Sequence, residues 1–220
     1  TLALHYQMNH VDWASGFVSW QVNQFDVLGV GELGDYEVLH PGWIQGNVNY
    51  VFRHDFSLHG TRDFSQIALS GNPASFQTDS HGGESFVSIS GFDPGGGNKV
   101  GEVVLTSPPI DMTELQANAG IWVKQAINHY PSDIQKQNLI RIVAFEDGEV
   151  QNPSAFVDLK FRDVPRGDSW GAVTSEVLQI PTSLQDKEIR IGFVYKATQN
   201  EAPSWQFYEV GVLEMPQTNQ

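Results

Sequence analysis

The stretch Ile189-Arg190-Ile191-Gly192-Phe193-Val194-Tyr195-Lys196 decides the fold. Ile189, Ile191, Phe193 and Tyr195 fall on one side; Arg190, Gly192, Val194 and Lys196 fall on the other. Side chains along a strand alternate between faces, so this pattern predicts a strand with one buried face. A slip of one residue would exchange the two faces, so the register is strongly specified. Val157, Leu159 and Phe161 alternate with Asp158, Lys160 and Arg162 in the same manner.

Working outward, further strands are expected at 17–22, 47–52, 63–69, 84–91, 101–105, 120–127, 139–145, 176–180 and 204–213. Short strands at regular spacing are the signature of a sandwich or barrel. Turn chemistry falls between them: Ser70-Gly71-Asn72-Pro73, His81-Gly82-Gly83, Asp93-Pro94-Gly95-Gly96-Gly97-Asn98 and Glu146-Asp147-Gly148. No long helical period occurs. A short helix is expected at 10–16 with Asn9 as its cap, and a helical turn at 113–117 after Asp111. The predicted fold class is all-β: a jelly-roll β-sandwich of two mainly antiparallel sheets.

The chain has 220 residues, enough to bury a core without staples. There is no cysteine, so thiol nucleophiles and thiolate metal sites are excluded. The net charge is −14, with only 12 Lys and Arg. Nucleic acid is therefore not an expected partner, because phosphate binding needs clustered cations. No apolar run reaches membrane-spanning length, and residues 1–10 lack the basic and apolar regions of a signal peptide. Residues 1–48 are less strand-like. The chain thus divides into an N-terminal segment, 1–48, with no fold assigned and open to packing on the sandwich, and a jelly-roll domain, 49–220.

Three motifs resemble a known family. The first runs Ser85-Phe86-Val87-Ser88-Ile89-Ser90-Gly91-Phe92, then the glycine loop, then Val103-Val104-Leu105-Thr106-Ser107-Pro108-Pro109-Ile110-Asp111-Met112. The second is Lys187-Glu188-Ile189-Arg190-Ile191-Gly192-Phe193-Val194-Tyr195, and the third is Ser204-Trp205-Gln206-Phe207-Tyr208-Glu209-Val210. In this order they resemble the choice-of-anchor J and cleaved-adhesin domains, MAM-like jelly-roll sandwiches of exported Bacteroidetes proteins. The resemblance implies an exported bacterial protein at the cell surface or outside the cell. It departs from the family pattern at Val104, where Trp is usual, and at Tyr208-Glu209, where Asp-Asn is usual. That Asp is a candidate calcium ligand in similar sandwiches.

Structural roles come first for these motifs. Ser107-Pro108-Pro109 ends a strand, because proline cannot donate to a ladder. Ile110 re-enters the core, Asp111 caps the following turn, and Trp205 packs between the sheets. For metal, one structural calcium is expected at most, near Asp79, His81 and Glu84 or near Glu209, since oxygen ligands on a glycine-containing loop suit that ion. His54, Asp55 and His59 form a second cluster, either a metal or acid–base site or an exposed polar segment.

No catalytic motif occurs: no Gly-x-Ser-x-Gly elbow, no His-Glu-x-x-His and no phosphate loop. Tryptophan in loops is the better lead. Trp43 lies in His40-Pro41-Gly42-Trp43-Ile44-Gln45-Gly46, and Trp170 in Arg166-Gly167-Asp168-Ser169-Trp170-Gly171. An exposed indole can stack on the C–H face of a sugar while Asp168 and Arg166 bond its hydroxyls. The bland alternative is that each Trp closes an end of the sandwich. Trp13, Trp20 and Trp122 read as packing residues. The expected function is a non-catalytic extracellular binding or adhesion module for a glycan or cell-surface ligand. The alternatives are a polysaccharide-degrading enzyme on the same fold and a structural spacer.

Overall fold

A computed structural model describes residues 49–115, 118–130 and 138–215. The expected strand at 17–22, the short helix at 10–16, and Trp13, Trp20 and Trp43 lie outside these residues. The described chain is a jelly-roll sandwich of two sheets, and every strand pair is antiparallel.

The first sheet holds β1 (Tyr50–Asp55), β3 (Gln77–His81), β4 (Glu84–Ser90), β7 (Ala119–Asn128), β10 (Val173–Thr174), β11 (Leu178–Gln179) and β13 (Ser204–Glu214). The second holds β2 (Ser65–Gly71), β5 (Gly101–Thr106), β6 (Ile110–Asp111), β8 (Ile140–Glu146), β9 (Val157–Asp158) and β12 (Glu188–Ala197). β12 is central in the second sheet, flanked by β5 and β8. β13 is central in the first. One side of β13 pairs β7; the other pairs β4 along Ser204–Phe207 and β1 along Glu209–Leu213.

The alternation in β12 holds. Ile189, Ile191, Phe193 and Tyr195 are fully buried, and Trp205 joins them from β13. Phe193, Trp205 and Phe207 form the centre, with ring centroids 4.2 to 6.1 Å apart. The indole N–H of Trp205 donates to Gln125 Oε1 at 2.7 Å, which satisfies its one buried polar atom.

The other face of β12 corrects the one-sided reading. Lys196 is exposed, but Val194 is buried in a second apolar cluster with Val104, Val143 and Phe145. Val150 and Phe156, from the chain between β8 and β9, pack onto that cluster, with Phe156 stacked on Phe145 at 4.6 Å. Arg190 is half-buried and bonds Asp147 and the Ser107 carbonyl. The central part of this sheet is thus covered on both faces.

Turn and cap readings are borne out where described. Asp111 accepts from Thr113 N and Oγ1 at 2.9 and 2.7 Å. Ile110 is buried in β6, immediately after Ser107-Pro108-Pro109 ends β5. Gly82 and Gly83 have φ of 62° and 87° and form the two-residue loop between His81 and Glu84. Two positive φ angles are what a tight hairpin turn of the right twist requires. The glycine loop after β4 carries the chain from the first sheet to the second.

Candidate ligand-binding site at the loop end

Four chain segments meet where β4 and β7 end and β5 and β13 begin. Tyr195 ties two of them together. Its hydroxyl accepts from Gly91 N at 2.7 Å and donates to the Pro203 carbonyl at 2.7 Å. Burial pushes its phenol well above the usual tyrosine range, although the Gly91 N–H works in the opposite direction. Asn98 bonds the carbonyls of Thr198 and Gln199 at 3.0 and 3.1 Å. The loops of this end are therefore held by side chains whose own positions are fixed in the sandwich.

The segment between β9 and β10 is held harder. Leu159 and Phe161 point into the core. Glu176 is 7 % exposed, and its two carboxylate oxygens accept from the backbone N–H groups of Arg162 and Asp163 at 2.7 and 3.0 Å. Burial alone would raise the pKa of this acid. The backbone donors outweigh burial and, with the Arg162 guanidinium, hold Glu176 below the usual glutamate range. Beside it, the buried Ser175 hydroxyl accepts from Val123 N at 3.0 Å and donates to the Glu176 carbonyl at 2.9 Å. Farther along, the Gly167 carbonyl accepts from Tyr130 N at 2.9 Å. Gly167 has φ of 87°, a conformation that glycine adopts without strain.

These anchors leave the residues between them facing water. Pro165 and Gly167 are buried, whereas Arg166, Asp168 and Trp170 are exposed. The Trp170 side chain is 45 % exposed. The His129 ring meets it at 78° with centroids 5.9 Å apart, so one part of the indole is propped and another is open. His129 itself has φ of 57° and donates its backbone N–H to Asn128 Oδ1 at 2.7 Å. Among the described residues, neither Arg166 nor Asp168 has a hydrogen-bond or ion-pair partner. Three of the four ligand-site residues expected from sequence thus share one loop; the fourth, Trp43, lies outside the described residues. Glu176 was read only as the start of a strand, and nothing in its local sequence signals its role as an anchor.

The other clusters have structural roles. Asp55 caps α1 (Phe56–His59), accepting from Ser57 N at 2.8 Å and Leu58 N at 3.3 Å. His54 is buried among Phe52, Phe56 and Phe64, with Nε2 3.0 Å from the Gly60 carbonyl. The exposed polar reading of this segment is therefore corrected for His54. Asp79 and His81 stand on the exposed strand β3, with Glu84 directly opposite His81. Glu209 is engaged by the Arg53 guanidinium at 2.5 and 2.6 Å. Among the described residues, no three His, Asp or Glu side chains gather to hold a metal ion. No described helix is long and apolar enough to cross a membrane.

No family model matches the chain, and no curated protein matches it. Solved structures do. The K1 cleaved adhesin domain of Lys-gingipain from Porphyromonas gingivalis W83 matches with a TM-score of 0.49 at 13 % identity, over 75 % of this chain and 98 % of that one. The carbohydrate-binding module TmCBM61, in complex with β-1,4-galactotriose, matches with a TM-score of 0.44 at 9 % identity, over 73 % and 94 %. The family 11 carbohydrate-binding module of the cellulosomal cellulase Lic26A-Cel5E of Clostridium thermocellum matches with a TM-score of 0.41 at 10 % identity, over 77 % and 98 %.

Proposed function

We propose that this chain is a non-catalytic binding domain of an exported bacterial protein, of the choice-of-anchor J and cleaved-adhesin type, which holds a neutral glycan against Trp170. The observation that carries this reading is an indole 45 % open to solvent on a loop anchored at Glu176 and at Gly167. Binding to an anchored loop costs little ordering entropy, so a single stacking face is not offset by loop closure. Asp168 accepts and Arg166 donates, which covers both hydrogen-bonding senses of a sugar hydroxyl. The net charge of −14 favours a neutral ligand over an acidic one.

The test is a glycan array probed with the wild-type chain and with Trp170→Ala. Binding of at least one neutral glycan by the wild type, and its loss in the variant, is the expected result. Reducing-end release from a bound glycan would favour the enzyme, and no bound glycan at all would favour the spacer.

A further inference from the structure

Phe92 is 64 % exposed, more than Trp170, and it joins none of the apolar clusters of the described residues. Its backbone is fixed all the same. Gly91, just before it, donates to the Tyr195 hydroxyl at 2.7 Å and accepts from Lys99 N at 2.8 Å. The Phe92 N–H donates to Ser90 Oγ at 3.3 Å. An anchored base therefore holds this ring out in water. One exposed apolar side chain is ordinary. A second exposed aromatic on the edge that carries Trp170 makes a pair.

The ladders put the two on that edge. β4 and β7 both run antiparallel to β13, so they leave the first sheet at the same end. Ser90, Ser204 and Asn128 form the last rung there, with Ser204 opposite both of the others. One rung back, Ile89, Trp205 and Ile127 face the core, so the row of three turns to the outer face. Phe92 follows the Ser90 end of the row by two residues. His129, which props Trp170, follows the Asn128 end by one. Bonds brace both ends: Ser204 Oγ donates to Ser90 Oγ at 3.1 Å, and Asn128 Oδ1 accepts from His129 N at 2.7 Å. Neighbouring strands lie about 4.8 Å apart, so the row spans about 10 Å. One sugar ring cannot reach both ends of it; a chain of rings can.

The chemistry along the row suits such a chain. Ser90, Ser204 and Asn128 carry no charge. Ser90 Oγ accepts two bonds, which leaves its own O–H to donate. The Asn128 oxygen is taken, and its amide nitrogen is a donor. An apolar plane, then uncharged donors, then a second apolar plane matches the C–H faces and hydroxyl edges of successive neutral sugars.

We infer that Phe92 is a second stacking position, and that the site takes an extended neutral oligosaccharide laid across the edge of the first sheet from Trp170 to Phe92. The inference rests on the proposed role of Trp170 and adds the length and direction of its ligand.

The test uses β-1,4-linked glucose and mannose oligomers, from the single sugar to the hexamer, titrated into the full chain and into Trp170→Ala, Phe92→Ala and Phe92→Tyr. Wild-type affinity should climb about fivefold between the dimer and the longer oligomers, the worth of one stacking face. Phe92→Ala should abolish that climb, leave dimer affinity and melting temperature unchanged, and be rescued by Phe92→Tyr. Trp170→Ala should weaken every length. A full climb in Phe92→Ala, with Trp170→Ala weak throughout, would overturn the second position and leave the role of Trp170 standing. Loss at every length in Phe92→Ala, with a lower melting temperature, would make the ring a loop prop and also overturn it. Unchanged affinity in Trp170→Ala would overturn both readings. Binding of none of these oligomers would overturn the extended site alone if the array yields another neutral glycan, and both readings if it yields none.

Discussion

Trp205 sits between the two sheets with its N–H bonded to Gln125, whereas Trp170 stands on a loop at the end of the sandwich with 45 % of its side chain in water. The two residues have the same chemistry and opposite surroundings. Trp205 is fixed by rings on several sides, including Phe193 and Phe207. Trp170 is touched edge-on by His129 and otherwise depends on the anchors of its loop. Under the proposed function, stability and recognition reside in different places in this molecule. A change to one should leave the other nearly intact, and that separation can be attacked from both sides.

The largest effect belongs to the core. Trp205→Ala should cost about 3–5 kcal/mol, because it opens a cavity and strands Gln125 without its donor. Trp170→Ala should change stability by no more than about 0.5 kcal/mol, as an exposed substitution does. Denaturant midpoints of the two variants measure the contrast; a comparable loss in both would make Trp170 a plug of the sandwich end.

Next comes the bracket under the loops. Tyr195→Phe leaves Gly91 N–H and the Pro203 carbonyl without their shared partner, at a cost of about 1–3 kcal/mol. If thermal unfolding of this variant is unchanged, water replaces the hydroxyl and the loop end is softer than described.

Glu176 links the two regions, and its effect depends on pH. Its folded pKa is lowered, so the folded state binds this proton less readily than the unfolded chain does. The stability it contributes is full above the ordinary glutamate pKa, about 4.3, and is lost as pH falls through the folded value. Glu176→Gln should flatten that part of the acid-unfolding profile and speed hydrogen exchange at the Arg162 and Asp163 amides. Identical acid profiles in the two proteins would remove Glu176 as the anchor of the Trp170 loop. The smallest effect concerns calcium: a higher melting temperature in excess calcium than in chelator is what a structural ion held only by the folded state would give, and equal temperatures would count against it.

Much of this architecture is legible in the sequence where burial is one-sided. The alternation of Ile189 to Tyr195 places β12 correctly because its core face is continuous. β3 is missed because Gln77 to His81 are all exposed, so an edge strand with no buried face leaves no apolar period to read. β6, β10 and β11 have two residues each, too few for any period. Val194 lies on the face read for it, but its burial there is not legible for the opposite reason: the cover over it comes from Val150 and Phe156, more than thirty residues away in the chain. In the candidate site, the glycine-flanked loop around Trp170 is readable as exposed. The carboxylate that holds it is not, because Glu176 acts on backbone N–H groups, which carry no residue identity. Trp122 is correctly read as buried, but not as buried on the outer face, since facing depends on the register with β13.

The central claim is that Trp170 recognises a sugar without supporting the fold. Titration calorimetry tests it directly, using the neutral glycan that the wild-type chain binds most tightly, with wild type and Trp170→Ala compared at equal folded fraction. The account predicts a loss of about 1 kcal/mol or more in binding free energy, several-fold in Kd, with an unchanged melting temperature. Equal affinity in the two proteins would contradict it and move the site away from this loop.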